Sequence, residues 1–263
     1  MDEDHATGRK IMRGTVRSAD GTSIAFERSG NGPALVMVDP AGGYSGFGAL
    51  RGLGAVLATR FTVCTYDRRG RGGSGDTPPY TVEREVEDLA AVIAAAGGAA
   101  FVYGLSSGGL LALRAAARGL AITRLALFEP PVRGEGEPPD TAFTAELAGL
   151  VSSGHRAAAV DRLLTSIGVP PELRAEPSPA LEAVAHTLVY DCEISDATTF
   201  QLIRSVRTPA LVLASKSSTG DLIDGAAAVA AALPGGVLRE LPGAWHAVRD
   251  EDVAAAVTAF FLS

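Results

Sequence analysis

Gly104-Leu105-Ser106-Ser107-Gly108 sets a hydroxyl nucleophile between two glycines. The apolar run Ala99 to Tyr103 before it reads as a buried strand, and the Ala/Leu-rich run Leu110 to Ala117 after it reads as a helix. A Gly-x-Ser-x-Gly at a strand-to-helix junction is a nucleophile elbow. The turn is so tight that the serine takes a strained backbone conformation, and the positions two residues either side of it have no room for a side chain. Ser106 is thereby pushed out toward a substrate. A serine hydroxyl is a weak nucleophile by itself, so this chemistry also requires a base for its proton and donors for the charge that develops on an attacked carbonyl. Outside a strand-helix junction the same letters would be only a turn, so the surrounding elements decide.

Those elements alternate. Thr15 to Ser18 and Ser23 to Arg28 flank Asp20-Gly21 as an antiparallel hairpin, after a polar tail over residues 1–13 that is expected to be disordered. Ala34 to Val38, Phe61 to Tyr66, the run before the elbow, Leu125 to Phe128, Ala210 to Leu213 and Val237 to Leu241 supply further strands, several too uniformly apolar to have a wet face. Helices are predicted in a segment ending near Ala58 and over Val82 to Ala96, Asp224 to Leu233 and Asp250 to Phe261. From Val132 to Val206 no buried strand is legible; Thr144 to Val151, Arg156 to Ile167 and Pro179 to Tyr190 look helical, separated by proline-rich breaks. The rhythm predicts an α/β fold with a mostly parallel, eight-stranded, doubly wound sheet: a core of residues 14–131 and 207–263, with an inserted helical cap over 132–206. Ligands of such sheets bind at the carboxyl ends of the strands, which is where Ser106 stands.

Composition narrows the function. Of 263 residues, 47% are hydrophobic and 20% charged, enough to bury a sizeable core, and the formal net charge of −7 repels phosphate backbones. A small-molecule substrate is therefore expected rather than nucleic acid. The start, Met1 to His5, is acidic where a signal peptide would be basic, and no apolar run reaches bilayer length, so a cytoplasmic protein without a membrane partner is expected. Cys64 and Cys192 form no disulfide framework, and no Cys or His pair has ligand spacing, so neither a metal nor a cofactor is expected. Gly70 to Gly75 matches the dinucleotide fingerprint, but Asp76 to Tyr80 separates its last glycine from the next helix, leaving no helix N-terminus for a pyrophosphate. Glu83, Glu85, Glu87 and Asp88, spaced around Val82, Val86 and Leu89, read as the solvated face of an amphipathic helix.

The order of these elements, together with the elbow and Tyr66-Asp67-Arg68-Arg69-Gly70, resembles the α/β-hydrolase family over roughly residues 14 to 263. The resemblance implies a serine nucleophile, a late histidine and a carboxylate. Of His5, His155, His186 and His246, the last lies on the loop between the final strand and final helix and is the expected base. Family members often carry the acid after the seventh strand, where this chain has Ser217 in Ala214-Ser215-Lys216-Ser217. Glu129 is the preferred alternative: it follows four apolar strand residues, precedes two prolines, and sits where haloalkane dehalogenases of the family place the acid, about two dozen residues after the nucleophile. Asp221 or Asp224 as substitutes, or no acid at all, remain open. The expected oxyanion donors are the Ser107 amide and, because Asp39-Pro40 replaces the usual His-Gly and proline has no N–H, the Ala41 amide. Arg68, Arg69 and Arg71 belong to a loop that is usually structural in the family.

A serine hydrolase acting on an ester, thioester or lactone-type carbonyl of a mostly apolar molecule follows as the leading expectation. The missing usual acid and the Asp39-Pro40 turn keep two others in view: a non-hydrolytic catalyst such as a cyclase using the same pocket, and a ligand-binding module on a hydrolase scaffold.

Overall fold

The computed structural model describes residues 2–4, 9–169, 174, 178–218 and 220–263. The chain opens with β1 (Asp2–Asp4), β2 (Arg9–Arg17) and β3 (Ser23–Ser29), then alternates: β4 (Ala34–Val38), α1 (Arg51–Leu57), β5 (Thr62–Tyr66), α2 (Val82–Ala95), β6 (Ala100–Leu105), α3 (Ser107–Ala117) and β7 (Ile122–Phe128). Helices α4 (Thr141–Ser152), α5 (Arg156–Ser166), α6 (Pro179–Ala183), α7 (Thr187–Ala197) and α8 (Phe200–Ser205) follow. The alternation resumes with β8 (Ala210–Ser215), α9 (Gly220–Ala232), β9 (Gly236–Leu241), the two-residue strands β10 (Gly243–Ala244) and β11 (Ala247–Val248), and α10 (Asp250–Phe261).

The sheet runs β1-β2-β3-β5-β4-β6-β7-β8-β9. From β5 through β9 every neighbour pair is parallel, whereas β2, β3 and β5 pair antiparallel. The eight strands read from sequence are β2 to β9. The strand order reverses at β4 and β6, so their carboxyl ends open the crevice where α/β sheets bind ligands.

The expected disordered tail needs correction. Residues 1 and 5–8 lie outside the described residues, but β1 occupies 2–4 and β2 starts at Arg9, pairing through Met12↔Arg28 and Arg13↔Glu27. The Arg13 guanidinium reaches Glu27 at 2.6 Å. Met12 and Arg13 are both exposed, so this part of the strand carries no apolar alternation for a pattern to reveal.

Two apolar layers sandwich the sheet. Val36, Val38, Val102, Leu125 and Leu127 face the α2, α3 and α9 side, while Leu35, Met37, Val63, Tyr103, Ala126 and Phe128 face α1 and α10. Alternate residues of one strand fall into opposite layers, the period of two that a sheet covered on both faces requires. Leu147, Ala159, Leu163, Leu181 and Leu188 of the helices between β7 and β8 form a third cluster, against which Ala41 and Tyr44 pack. Ile194 and Ile203, by contrast, join the α2/α3 layer, so α8 and the end of α7 are built into the core side.

α2 departs from its expected solvated face. Glu85 and Asp88 are buried, Glu85 against Arg68 (2.6 and 2.8 Å) and Asp88 against Arg69 (both 2.8 Å). Paired fork to fork, these charges can be taken from water where single ones could not.

Candidate active site

Ser106 adopts φ 52° and ψ −124° between β6 and α3. The glycines explain how the elbow closes. A Cβ on Gly104 would stand 2.6 Å from the Gly108 carbonyl oxygen, and one on Gly108 would stand 2.6 Å from the Asp39 carbonyl oxygen. The Ser106 N–H donates to the Phe128 carbonyl at 2.9 Å, tying the elbow to the end of β7.

The residue after Phe128 is Glu129, fully buried with φ 44°. Its Oε2 lies 2.5 Å from His246 Nδ1 and accepts the His246 backbone N–H at 3.0 Å. Its Oε1 accepts the Ser215 N–H at 2.8 Å and the Ser218 hydroxyl at 2.7 Å. Burial opposes ionisation, but the contact with His246 and the Ser215 and Ser218 donors outweigh it and hold this carboxyl down at about 2.

His246 is the second residue of a tight turn. β10 and β11 pair as Gly243↔Val248 and Ala244↔Ala247, leaving Trp245 and His246 as the connecting pair with φ 52° and 63°. Positive φ at both central positions is the geometry that normally selects Asn-Gly, and two bulky residues hold it only under outside support. The support is visible: Ser218 Oγ accepts the Trp245 N–H at 2.8 Å, and Glu129 accepts that of His246. The ring of His246 then stands against Phe128, centroids 5.9 Å apart. Among the described residues, the non-glycine positions with positive φ are Ser106, Glu129, Trp245 and His246. Three of these four, Ser106, Glu129 and His246, are the residues expected from the sequence to form the site.

The departure at Ser217 acquires a physical account. Ser217 is exposed, and the last residue of β8 and the loop after it present donors, the Ser215 amide and the Ser218 hydroxyl, to a carboxylate arriving from β7. Asp224 is exposed on α9, and the side chain of Asp221 lies outside the described residues. Sequence reading missed Ser218 and the strained Trp245; a serine in a loop leaves no local signal of either partner.

On the other side of Ser106, Pro40 to Gly43 form a β-turn closed by the Gly43 N–H to the Pro40 carbonyl at 2.9 Å, with Gly42 at φ 67°. The Ala41 amide is the first central position of this turn, and among the described residues neither it nor the Ser107 amide has a backbone acceptor. Asp39 continues the Leu35-Met37 face of β4 toward α1 and lines a cavity of about 410 Å³ there, with Val63, Thr65, Asp67 and Tyr44. Burial pushes the Asp39 carboxyl up to about 7 against the opposing pull of Arg71 and Arg68, and its Oδ1 has no hydrogen-bond partner among the described residues.

The glycines of 70–75 serve a carboxylate instead of a nucleotide. Asp67 accepts the amides of Ser45 (2.7 Å) and Gly73 (2.8 Å), and a Cβ on Gly72 would strike it. Arg68, Arg69 and Arg71 are all buried.

Residues 35–259 match the profile described as the Alpha/beta hydrolase family. The chain belongs to the alpha/beta hydrolase family. As such it is an enzyme of hydrolase type. An alpha/beta hydrolase from Sphaerobacter thermophilus is 45% identical, with 94% of this chain and 100% of that chain covered at a TM-score of 0.86. An esterase from Rhodococcus sp. shares 22% identity over 95% of this chain and 98% of that one (TM-score 0.73), and an enol-lactonase from Burkholderia xenovorans 21% over 94% and 100% (TM-score 0.66). At those identities the last two show the hydrolase fold alone. No curated protein sequence matches this alpha/beta hydrolase. None of its helices, among the described residues, is long and apolar enough to cross a membrane.

Proposed function

We propose that this alpha/beta hydrolase is a serine hydrolase that opens an ester, thioester or lactone-type carbonyl of a mostly apolar small molecule through an acyl-enzyme on Ser106. The observation that carries the reading is the 2.5 Å approach of the Glu129 carboxylate to His246 Nδ1, made by residues that all hold strained backbone. A carboxylate on Nδ1 fixes the tautomer that leaves Nε2 free as a base, and stabilises the imidazolium that forms.

The steps follow. Ser106 Oγ attacks the carbonyl carbon as His246 Nε2 takes its proton. The former carbonyl oxygen carries the negative charge, facing the Ala41 and Ser107 amides. The intermediate collapses, the bond to the alcohol, thiol or lactone oxygen breaks, and that group takes the proton from His246. Water, deprotonated by His246, then attacks the acyl carbon; the Ser106 ester bond breaks and Oγ recovers its proton. Asp39 lines a cavity together with Gly54 and Ala55 of α1, which supports a carboxylate turned away from the oxyanion. The cyclase reading rested on the missing usual acid and the Asp39-Pro40 turn; Glu129 beside His246 speaks against the first ground and favours hydrolysis.

The helices between β7 and β8 pack around an apolar cluster of their own, against which Ala41 and Tyr44 lie, and an apolar substrate under that segment as a cap is the reading that suits it. The two free, buried cysteines, Cys64 and Cys192, suit a cytoplasmic protein.

The test is labelling with a fluorophosphonate probe, followed by turnover of 4-nitrophenyl esters of increasing acyl length and of simple lactones. Label on Ser106 in the wild type, none in Ser106→Ala, and loss of turnover in the same variant are expected. Full turnover by Ser106→Ala would overturn covalent catalysis.

A further inference from the structure

The amides proposed to receive the oxyanion come from loops after different strands, and one side chain on α7 reaches the supports of both. Asp191 is buried. Its Oδ1 accepts the Ser107 hydroxyl at 2.8 Å and Arg68 Nη1 at 2.7 Å; its Oδ2 accepts Arg71 Nη2 at 2.6 Å. Arg71 in turn donates through Nη1 to the carbonyls of Pro40 (2.9 Å) and Gly43 (3.2 Å), the two ends of the turn that carries Ala41. Its Nε donates to Thr187 Oγ1, also on α7, at 3.0 Å.

We propose that Asp191 is a positioning residue for the oxyanion hole, holding Ser107 directly and the Ala41 turn through Arg71, so that the hole is complete only when α7 is docked. The proposal rests on the reading of Ser106 as nucleophile.

Charge and geometry both support a positioning role. The Arg68 and Arg71 guanidiniums face the Asp191 and Glu85 carboxylates, so the buried cluster is balanced and each member is held by several charge-assisted hydrogen bonds. A planar guanidinium bridging a carboxylate and two carbonyls fixes direction as well as distance, which a lysine could not do. Simple adhesion of α7 to the core would need no contact to the turn or to the residue after the nucleophile. Here those are the contacts made. Oxyanion donors act only when they point at the place the charge will form, so a displacement of the turn is felt in the transition state more than in substrate binding.

Asp191→Asn, Ser107→Ala and Thr187→Val in the full-length protein test this, with kcat and KM for 4-nitrophenyl butyrate and the rate of fluorophosphonate labelling measured where circular dichroism shows each variant folded. Asp191→Asn is expected to lower kcat about 100-fold with KM changed less than about threefold, and Ser107→Ala to lower kcat about tenfold in the same pattern. Asp191→Glu is expected to recover part of the loss. A merely structural role would lower the melting temperature and leave kcat of the folded fraction unchanged, and that result overturns the proposal. If Asp191→Asn does not fold, Ser107→Ala and Thr187→Val decide it by the same criterion. Failure of wild-type Ser106 to label would instead remove the nucleophile reading; label on Ser106 with wild-type kcat in the folded variants would remove the positioning role alone.

Discussion

Glu129 Oε2 and His246 Nδ1 stand 2.5 Å apart across 117 residues of chain, and the same oxygen accepts the His246 backbone amide. One carboxylate thus orients both the imidazole and the strained turn that carries it.

Glu129→Gln keeps the shape and removes the charge. An amide presented to Nδ1 cannot stabilise an imidazolium and can favour the wrong tautomer, so kcat for ester hydrolysis is expected to fall about 10³ to 10⁴-fold. Steady-state kinetics, with circular dichroism to verify folding, check it; a loss of less than tenfold would remove Glu129 from the mechanism.

Ser218→Ala deletes a donor to Glu129 and the acceptor for the Trp245 amide. A charge-assisted bond of this kind is worth about 1.5 to 3 kcal/mol, and the variant is expected to lose stability in that range in urea. With one donor fewer, the Glu129 carboxyl rises from about 2, so the acid limb of any activity profile that reports it should move to higher pH. Because its folded value lies below the ordinary 4.5, Glu129 contributes stability that is present above about 4.5 and is lost as pH falls toward 2.

Asp39 has the opposite sign. Its carboxyl is held at about 7 against an ordinary 3.8, so between those values the folded protein binds the proton that the unfolded chain has released. Stability from this group therefore falls as pH rises from 4 to 7 and stays low above it. Asp39→Asn is expected to be close to wild type near pH 4 and more stable at pH 8, by up to ~4 kcal/mol. Urea midpoints at the two pH values measure the difference, and equal midpoints for wild type and variant at pH 8 would contradict the placement.

Gly108→Ala brings a methyl group to 2.6 Å from the Asp39 carbonyl oxygen and against the Val38 carbonyl, backbone atoms with nothing flexible to yield. The expected cost is about 2 kcal/mol or more, together with loss of Ser106 labelling, because the elbow must open to admit it. Thermal melts and probe labelling read the two effects separately. Wild-type values of both would show that the elbow is looser than its contacts indicate.

Much of this enzyme is local enough to be read from its letters. The Gly-x-Ser-x-Gly pattern between an apolar run and an Ala/Leu-rich run specifies the elbow, since only glycine tolerates the approach of Val38 and Asp39 to Gly108. Uniformly apolar strands indicate a sheet covered on both faces, and their alternation with helices indicates its winding. Glu129, placed between four apolar residues and two prolines, stands out because a charge there needs a partner. What the letters could not determine is which partner. The residue that accompanies Glu129 lies 117 positions away, Arg68 and Arg71 meet Asp191 across 123 and 120, and Asp88 turns inward from a face that reads as solvated because Arg69 is there to receive it. Periodicity records which way a side chain faces along its own element; burial of a charge depends on what another element brings to meet it, and that is settled only when the chain closes on itself.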